Sequence, residues 1–295
     1  MNIAEVAQRD IGSRPTQALE DVTTHLEPGE LVDAIAESGG GLTAVTNRRV
    51  IRYIQQGPKF VDYPLTTLHG CLVLDDIDDP MLALLVDDAP FDVVSMDQRN
   101  ATRIVASVGD ARQRAGLPVH QAFGARFSPA LVLVGSNALN VETGALAVLT
   151  VVSTGVQIRP FRTAAGKTSN PERIFIPARN ILSIKVEGAD QVQHRPSVAG
   201  TVFFGVVGLA MRSKEKHAYV AVGTTDGDLV IEIEGKLPTE VRGAIRGAAR
   251  AIEGPAAGHV TEEQGSELAP QLDRIVGLLE QILAQLRLRS PGDVS

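Results

Sequence analysis

A single cysteine, Cys71, stands among the 295 residues, so no internal disulfide can form and nothing points to an oxidising compartment. An apolar leader is also missing. The opening "MNIAEVAQRDIG" carries acids and no apolar run, so no secretory signal is expected and a cytoplasmic location is. Long apolar runs are scarce. The best candidate, "SVAGTVFFGVVGLAM", has 15 residues, short of the roughly 20 that a spanning helix needs, and glycines interrupt it. Base is not in excess either: the formal net charge is −7. Without a dense basic stripe, this argues against general nucleic-acid binding. The charge is uneven, net −6 over residues 25–115 and net +3 over residues 141–254.

Catalytic and metal-binding patterns are missing too. The histidines (His25, His69, His120, His194, His217 and His259) are scattered, with no pair at metal-ligand spacing. Neither Gly12-Ser13 nor Gly135-Ser136 belongs to a Gly-x-Ser-x-Gly elbow. The run Asp75-Asp76-Ile77-Asp78-Asp79 lacks the glycine and distal glutamate of a calcium loop. Cys71 falls in a strand-like run and reads as a buried, inert thiol. In "TAAGKTSNPER" the tripeptide Gly166-Lys167-Thr168 matches the end of a phosphate loop, but five places before Gly166 stands Phe161. Beyond Thr168 the chain leads into the strand-like Ile174-Phe-Ile-Pro and not into a helix, so no positive helix terminus faces a phosphate. The tripeptide reads as a hairpin loop. No metal, no cofactor and no enzymatic activity are expected.

What is present is a repeat. Seven apolar or alternating runs stand close together in the first half, separated by Gly, Pro, Asn and Asp. They are Leu31-Val-Asp-Ala-Ile-Ala, Leu42-Thr-Ala-Val, Arg49-Val-Ile-Arg-Tyr-Ile, Lys59-Phe-Val-Asp-Tyr, Cys71-Leu-Val-Leu, Leu82-Ala-Leu-Leu-Val and Phe91-Asp-Val-Val. A helix then begins at Asp97, a good N-cap, with Ile104, Val105, Val108 and Ala111 on one face. The second half runs in the same order. "TAVTNRRVIRY" is echoed by "LTVVSTGVQIRPF", "FVDYPLTTLHGCLV" by "IFIPARNILSIKV", and "LLVDDAPFDVV" by "AVGTTDGDLVIEI". A helix from the cap Thr239 closes it, with Val241, Ile245, Ala248, Ala249 and Ile252 on one face. The agreement in order implies a tandem duplication.

Seven antiparallel strands and a closing helix are the plan of a pleckstrin-homology-like barrel. "LEPGELVDAIAESGGGLTAVTNRRVIRY…DYPLTTL" resembles the bacterial pleckstrin-homology-like domains over residues 24–115. Residues 141–254 resemble the wider PH/GRAM-like superfamily, departing in an insertion that contains "TVFFGVVGLAM". The fold class expected is therefore mainly β (α+β), two seven-stranded PH-like barrels each closed by a helix. Residues 1–23 are an N-terminal segment and 116–140 a connector. The resemblance implies binding and not catalysis, since this scaffold hosts lipid, peptide and protein ligands. It also implies a headgroup site on basic open-end loops. Arg162, Lys167 and Arg173 on one loop, with Arg212, Lys214 and Lys216 on the next, are the candidate anion residues. In the turn Thr46-Asn47-Arg48-Arg49, Asn47 reads as left-handed and the two arginines as facing solvent.

After a polar linker, residues 255–266, the segment "LAPQLDRIVGLLEQILAQLRLRS" places Leu268, Leu272, Ile275, Leu279, Ile282 and Leu286 at alternating spacings of four and three. That is a heptad seam over an amphipathic helix at 267–289. Leu at a (Leu272, Leu279, Leu286) with Ile at d (Ile275, Ile282) favours more than two strands. The alternative is a helix packed back on its own barrels. The expectation is a non-catalytic binding and assembly protein that self-associates or engages a protein partner. The alternative is a peripheral membrane module that holds anionic headgroups on the second half's basic loops.

Overall fold

Two strands break the alternation of a half-solvated sheet. Gly41–Thr46 buries five consecutive residues and Met81–Val86 four, so each must be covered on both faces. The computed structural model describes residues 3–12, 16–55, 59–74, 80–162, 173–188 and 216–254. The chain divides into two units, Met1–Glu253 and Gly254–Ser295. The heptad segment lies outside the described residues.

The chain opens on helices α1 (Ile3–Asp10) and α2 (Gln17–His25). Strands β1 (Val32–Ser38), β2 (Gly41–Thr46), β3 (Arg49–Ile54) and β4 (Phe60–Pro64) form an antiparallel meander. β5 (Leu68–Leu74), β6 (Met81–Val86) and β7 (Asp92–Ser95) form a second sheet, and helix α3 (Gln98–Arg114) comes next. Ala34, Val45, Leu82 and Leu84 of the sheets share one core with Ile104 and Val108 of α3. The Asp97 carboxylate accepts the Asn100 N–H at 2.9 Å, capping α3 as expected. Gly116, at φ +68, ends it in the left-handed conformation of a C-terminal stop.

The outer face of the first sheet carries Ile35, Leu42, Ala44 and Ile51. These are covered by Ile3 and Val6 of α1 and Leu19 and Val22 of α2. The N-terminal segment is thus two helices, where no element was expected. Burying each of the four large helix side chains stabilises by about 1.5–3 kcal/mol. Arg103 of α3 ties the cover down, donating to the carbonyl of Asp10 at 3.0 Å and of Ile35 at 2.7 Å.

The second half has strands β8 (Gly124–Val134), β9 (Leu146–Val152), β10 (Gly155–Arg162), β11 (Ile174–Pro177), β12 (Ile181–Glu187), β13 (His217–Thr224) and β14 (Gly227–Glu234). Helix α4 (Pro238–Glu253) closes it. One antiparallel sheet runs in the order β11-β10-β9-β8-β14-β13-β12, and Val241, Ile245 and Ala248 of α4 fill its core. β8 falls where a connector was expected. Pro129 would argue against a strand, but the register shifts between Phe127 and Ala130, placing the proline in a bulge. α4 also starts differently. The Leu237 carbonyl accepts the first helical N–H groups, and the Glu240 carboxylate accepts the Leu237 N–H at 2.8 Å. Pro238 takes the first turn, so Thr239 is not the cap.

Among the described residues each half runs through seven strands and then a helix, and they are mainly β. Among the described residues the first half's strands divide into sheets of four and three, and the second half's sheet ends at β11 and β12. The outer face of β5–β7 holds Leu72, Leu74, Ala83, Leu85 and Phe91, and it is covered by Val152 and Phe175 of the second half. Phe91 and Phe175 meet edge to face at 6.0 Å. This is the second cover that β6 required.

Candidate functional site

The Thr46–Arg49 turn departs from the expectation at Asn47 and Arg49, while Arg48 is exposed as expected. Asn47 is not among the left-handed residues. Its side-chain oxygen accepts the Leu31 N–H at 2.9 Å, so the residue is chosen for its amide and not for its backbone freedom. Arg49 is turned inward, donating to both Glu30 carboxylate oxygens at 3.0 and 2.8 Å and to Asp62 at 2.7 Å. Arg48 pairs with Glu27 at 2.8 Å. Both arginines are occupied. Burial alone would raise the Glu30 carboxyl, but the Arg49 hydrogen bonds, the Glu27 N–H and the Thr46 hydroxyl outweigh it and hold it below its ordinary value.

Of the candidate anion residues, Arg173 donates to Asp92 Oδ1 at 3.0 Å. Asp92 also takes the Tyr63 hydroxyl at 2.9 Å and an ion pair from Arg52. Arg173 therefore bridges the two halves. Lys216, just before β13, is exposed, and its carbonyl accepts the Gly235 N–H at 3.0 Å. Arg162 is the last residue of β10. Its side chain, Lys167, Arg212 and Lys214 lie outside the described residues, as do Leu272, Ile275, Leu279, Ile282 and Leu286. Of the six basic side chains, those of Arg173 and Lys216 are described. Cys71 is buried as expected, and burial pushes its thiol up to about 12.

A different feature stands out at the end of the second sheet. Among the described residues β12 has a strand neighbour on one side only. On its other side lies α4, and between them runs a groove of about 500 Å³. Two β12 backbone groups bond to helix side chains: the Val186 carbonyl accepts from Arg242 at 2.8 Å, and the Ile184 N–H donates to Glu253 at 3.3 Å. Such side-chain caps satisfy an open edge. Arg242, Arg246 and Arg250 recur every fourth residue, one stripe along the helix beside its buried Val241, Ile245 and Ala248. With the exposed Lys185 they line the groove. The spacing of these arginines is legible in "EVRGAIRGAARAIE", but their position over an open edge needs the topology.

The equivalent place in the first half is partly occupied by the chain itself, leaving a cavity of about 270 Å³. β5 is likewise the edge of its sheet, and residues 117–122 cross between it and α3. Arg112 of α3 donates to the Pro118 carbonyl at 3.0 and 2.7 Å. The His120 ring stacks on His69 of β5 with centroids 4.6 Å apart. A Cβ added at Gly70 would stand 3.5 Å from the His120 carbonyl oxygen and 3.6 Å from the Ala122 side chain.

Among the described residues no group of three or more His, Cys, Asp or Glu side chains converges as a metal site would. No described helix is long and apolar enough to cross a membrane. No protein-family model matches the chain, and no curated protein does. Among solved structures it is similar to a DUF1696 family protein with a pleckstrin-homology domain from Shewanella loihica PV-4, at 16% identity and a TM-score of 0.26. The match covers 37% of this chain and 92% of that one. A likeness so slight leaves the strands and side chains to carry the argument.

Proposed function

We propose that this chain is a non-catalytic binding and assembly protein. It is built from two pleckstrin-homology-like barrels in tandem and self-associates through the heptad helix at 267–289. The order of seven strands and a closing helix, met twice, supports the tandem reading. The observation that carries the binding role is the asymmetry between the two equivalent edges. One is flanked by the chain's own residues 117–122, while the other, β12, is bordered among the described residues by a cationic helix stripe. Glu30, Arg49, Asp92 and Arg112 are committed to holding elements together.

Light scattering tests the assembly. The native mass should exceed the 31.3 kDa of one chain, and Leu279→Glu should lower it with residues 1–253 still folded, because an unpaired charge in an apolar seam costs several kcal/mol. A wild-type protein that is monomeric at about 50 μM would end the assembly part, since an isolated helix of this length needs a partner surface. The second reading, a peripheral module for anionic headgroups, is favoured by the second half's net charge of +3. It predicts co-sedimentation with anionic liposomes that weakens as salt rises.

A further inference from the structure

We propose that the groove between β12 and α4 binds an extended, acidic peptide segment of a partner protein, added as a further strand along β12. This deepens the binding role and rests on it. Three observations converge. Among the described residues the strand has an open side, and that side's backbone groups at Ile184 and Val186 are met by the flexible tips of Glu253 and Arg242. A peptide backbone presents the same donor and acceptor at strand spacing and can replace both tips. The border is mainly cationic, four bases to the acids Glu187 and Glu253. Three of the bases are uncommitted: Lys185, Arg246 and Arg250 are exposed and have no ion-pair or hydrogen-bond partner among the described residues. The floor is apolar, with Ile245 and Ala249 beneath.

In the first half the equivalent place admits polypeptide, because the irregular residues 117–122 lie between β5 and α3. A peptide paired as a strand along β12 would turn alternate side chains toward the α4 stripe. Carboxylates at those positions would meet Arg246 and Arg250, and the residues between them would turn to the sheet's other face, which Lys185 shares. A bilayer is disfavoured as the occupant, because a flat surface cannot enter the groove to reach the β12 backbone.

The test uses the full chain and a fluorescein-labelled decapeptide with glutamate at every second position and valine or threonine between, read by fluorescence anisotropy. Saturable binding is expected, weakening as salt is raised from about 50 to 300 mM. Arg246→Glu with Arg250→Glu should weaken it at least about tenfold, a few-fold for each exposed pair lost and more for repulsion gained. N-methylation of alternate peptide bonds, which leaves charge intact but removes strand donors, should abolish it. Thermal melts establish that the variant is folded, and the milder Arg250→Ala should weaken binding about threefold. Equal binding of the N-methylated peptide, or no effect of the double reversal, overturns the proposal. So does a protein that ignores the peptide but binds vesicles containing about 30% phosphatidylserine through the same arginines. Light scattering separates the two readings: no peptide binding by a protein still larger than one chain ends the groove proposal and leaves assembly standing.

Discussion

Glu30 shows how a buried charge can serve the fold and nothing else. Its carboxylate is fully enclosed and meets Arg49 and the Thr46 hydroxyl, tying the chain entering β1 to the turn between β2 and β3. Glu30→Gln should cost about 2–3 kcal/mol in urea denaturation, because Arg49 loses its most buried carboxylate partner and keeps Asp62 and the more distant Glu27. The pH dependence has a definite sign. The folded carboxyl lies below its unfolded value, so its contribution is complete above the unfolded value and is lost as pH falls through the folded one. The gap between wild type and Glu30→Gln should therefore be widest near neutrality and narrow in acid. Cys71 makes the complementary case. Its thiol, pushed up to about 12 in the core, should stay inert to thiol reagents at about pH 8 and react only as the protein unfolds.

At the scale of elements, the strands and both closing helices were legible because each carries a local signal. Turn residues bracket the strands, and Asp97 with an apolar stripe marks α3. The misses have physical reasons. α1 and α2 are 8 and 9 residues long, too short to repeat a stripe more than once, and they are held by tertiary packing and not by propensity. Their cover was nonetheless implied by "GLTAVT", whose lack of alternation demands two buried faces. β8 was hidden by Pro129 in its bulge. The groove was hidden more thoroughly, since no local pattern states which strand ends a sheet. Deleting residues 1–25 should leave Ile35, Leu42 and Ile51 open to water. The expected result is a lower melting temperature and new binding of a hydrophobic dye, whereas an unchanged melt would mean the helices are decoration.

At the scale of the whole molecule, the sheet β5–β7 serves two cores at once. One face belongs to α3, and the other to Val152 and Phe175 of the second half. Residues 1–253 should accordingly melt in a single calorimetric transition with equal calorimetric and van't Hoff enthalpies. A charge placed in the shared layer, as in Leu85→Asp, should lower that one transition and not split it, for burying it unpaired costs several kcal/mol. Two separable peaks in the wild type would refute the coupling. The same arrangement limits what can be done with the gene. A cut after residue 116, however natural it looks between two repeats, would release two fragments with raw apolar sides, so neither half can be borrowed as a stand-alone part.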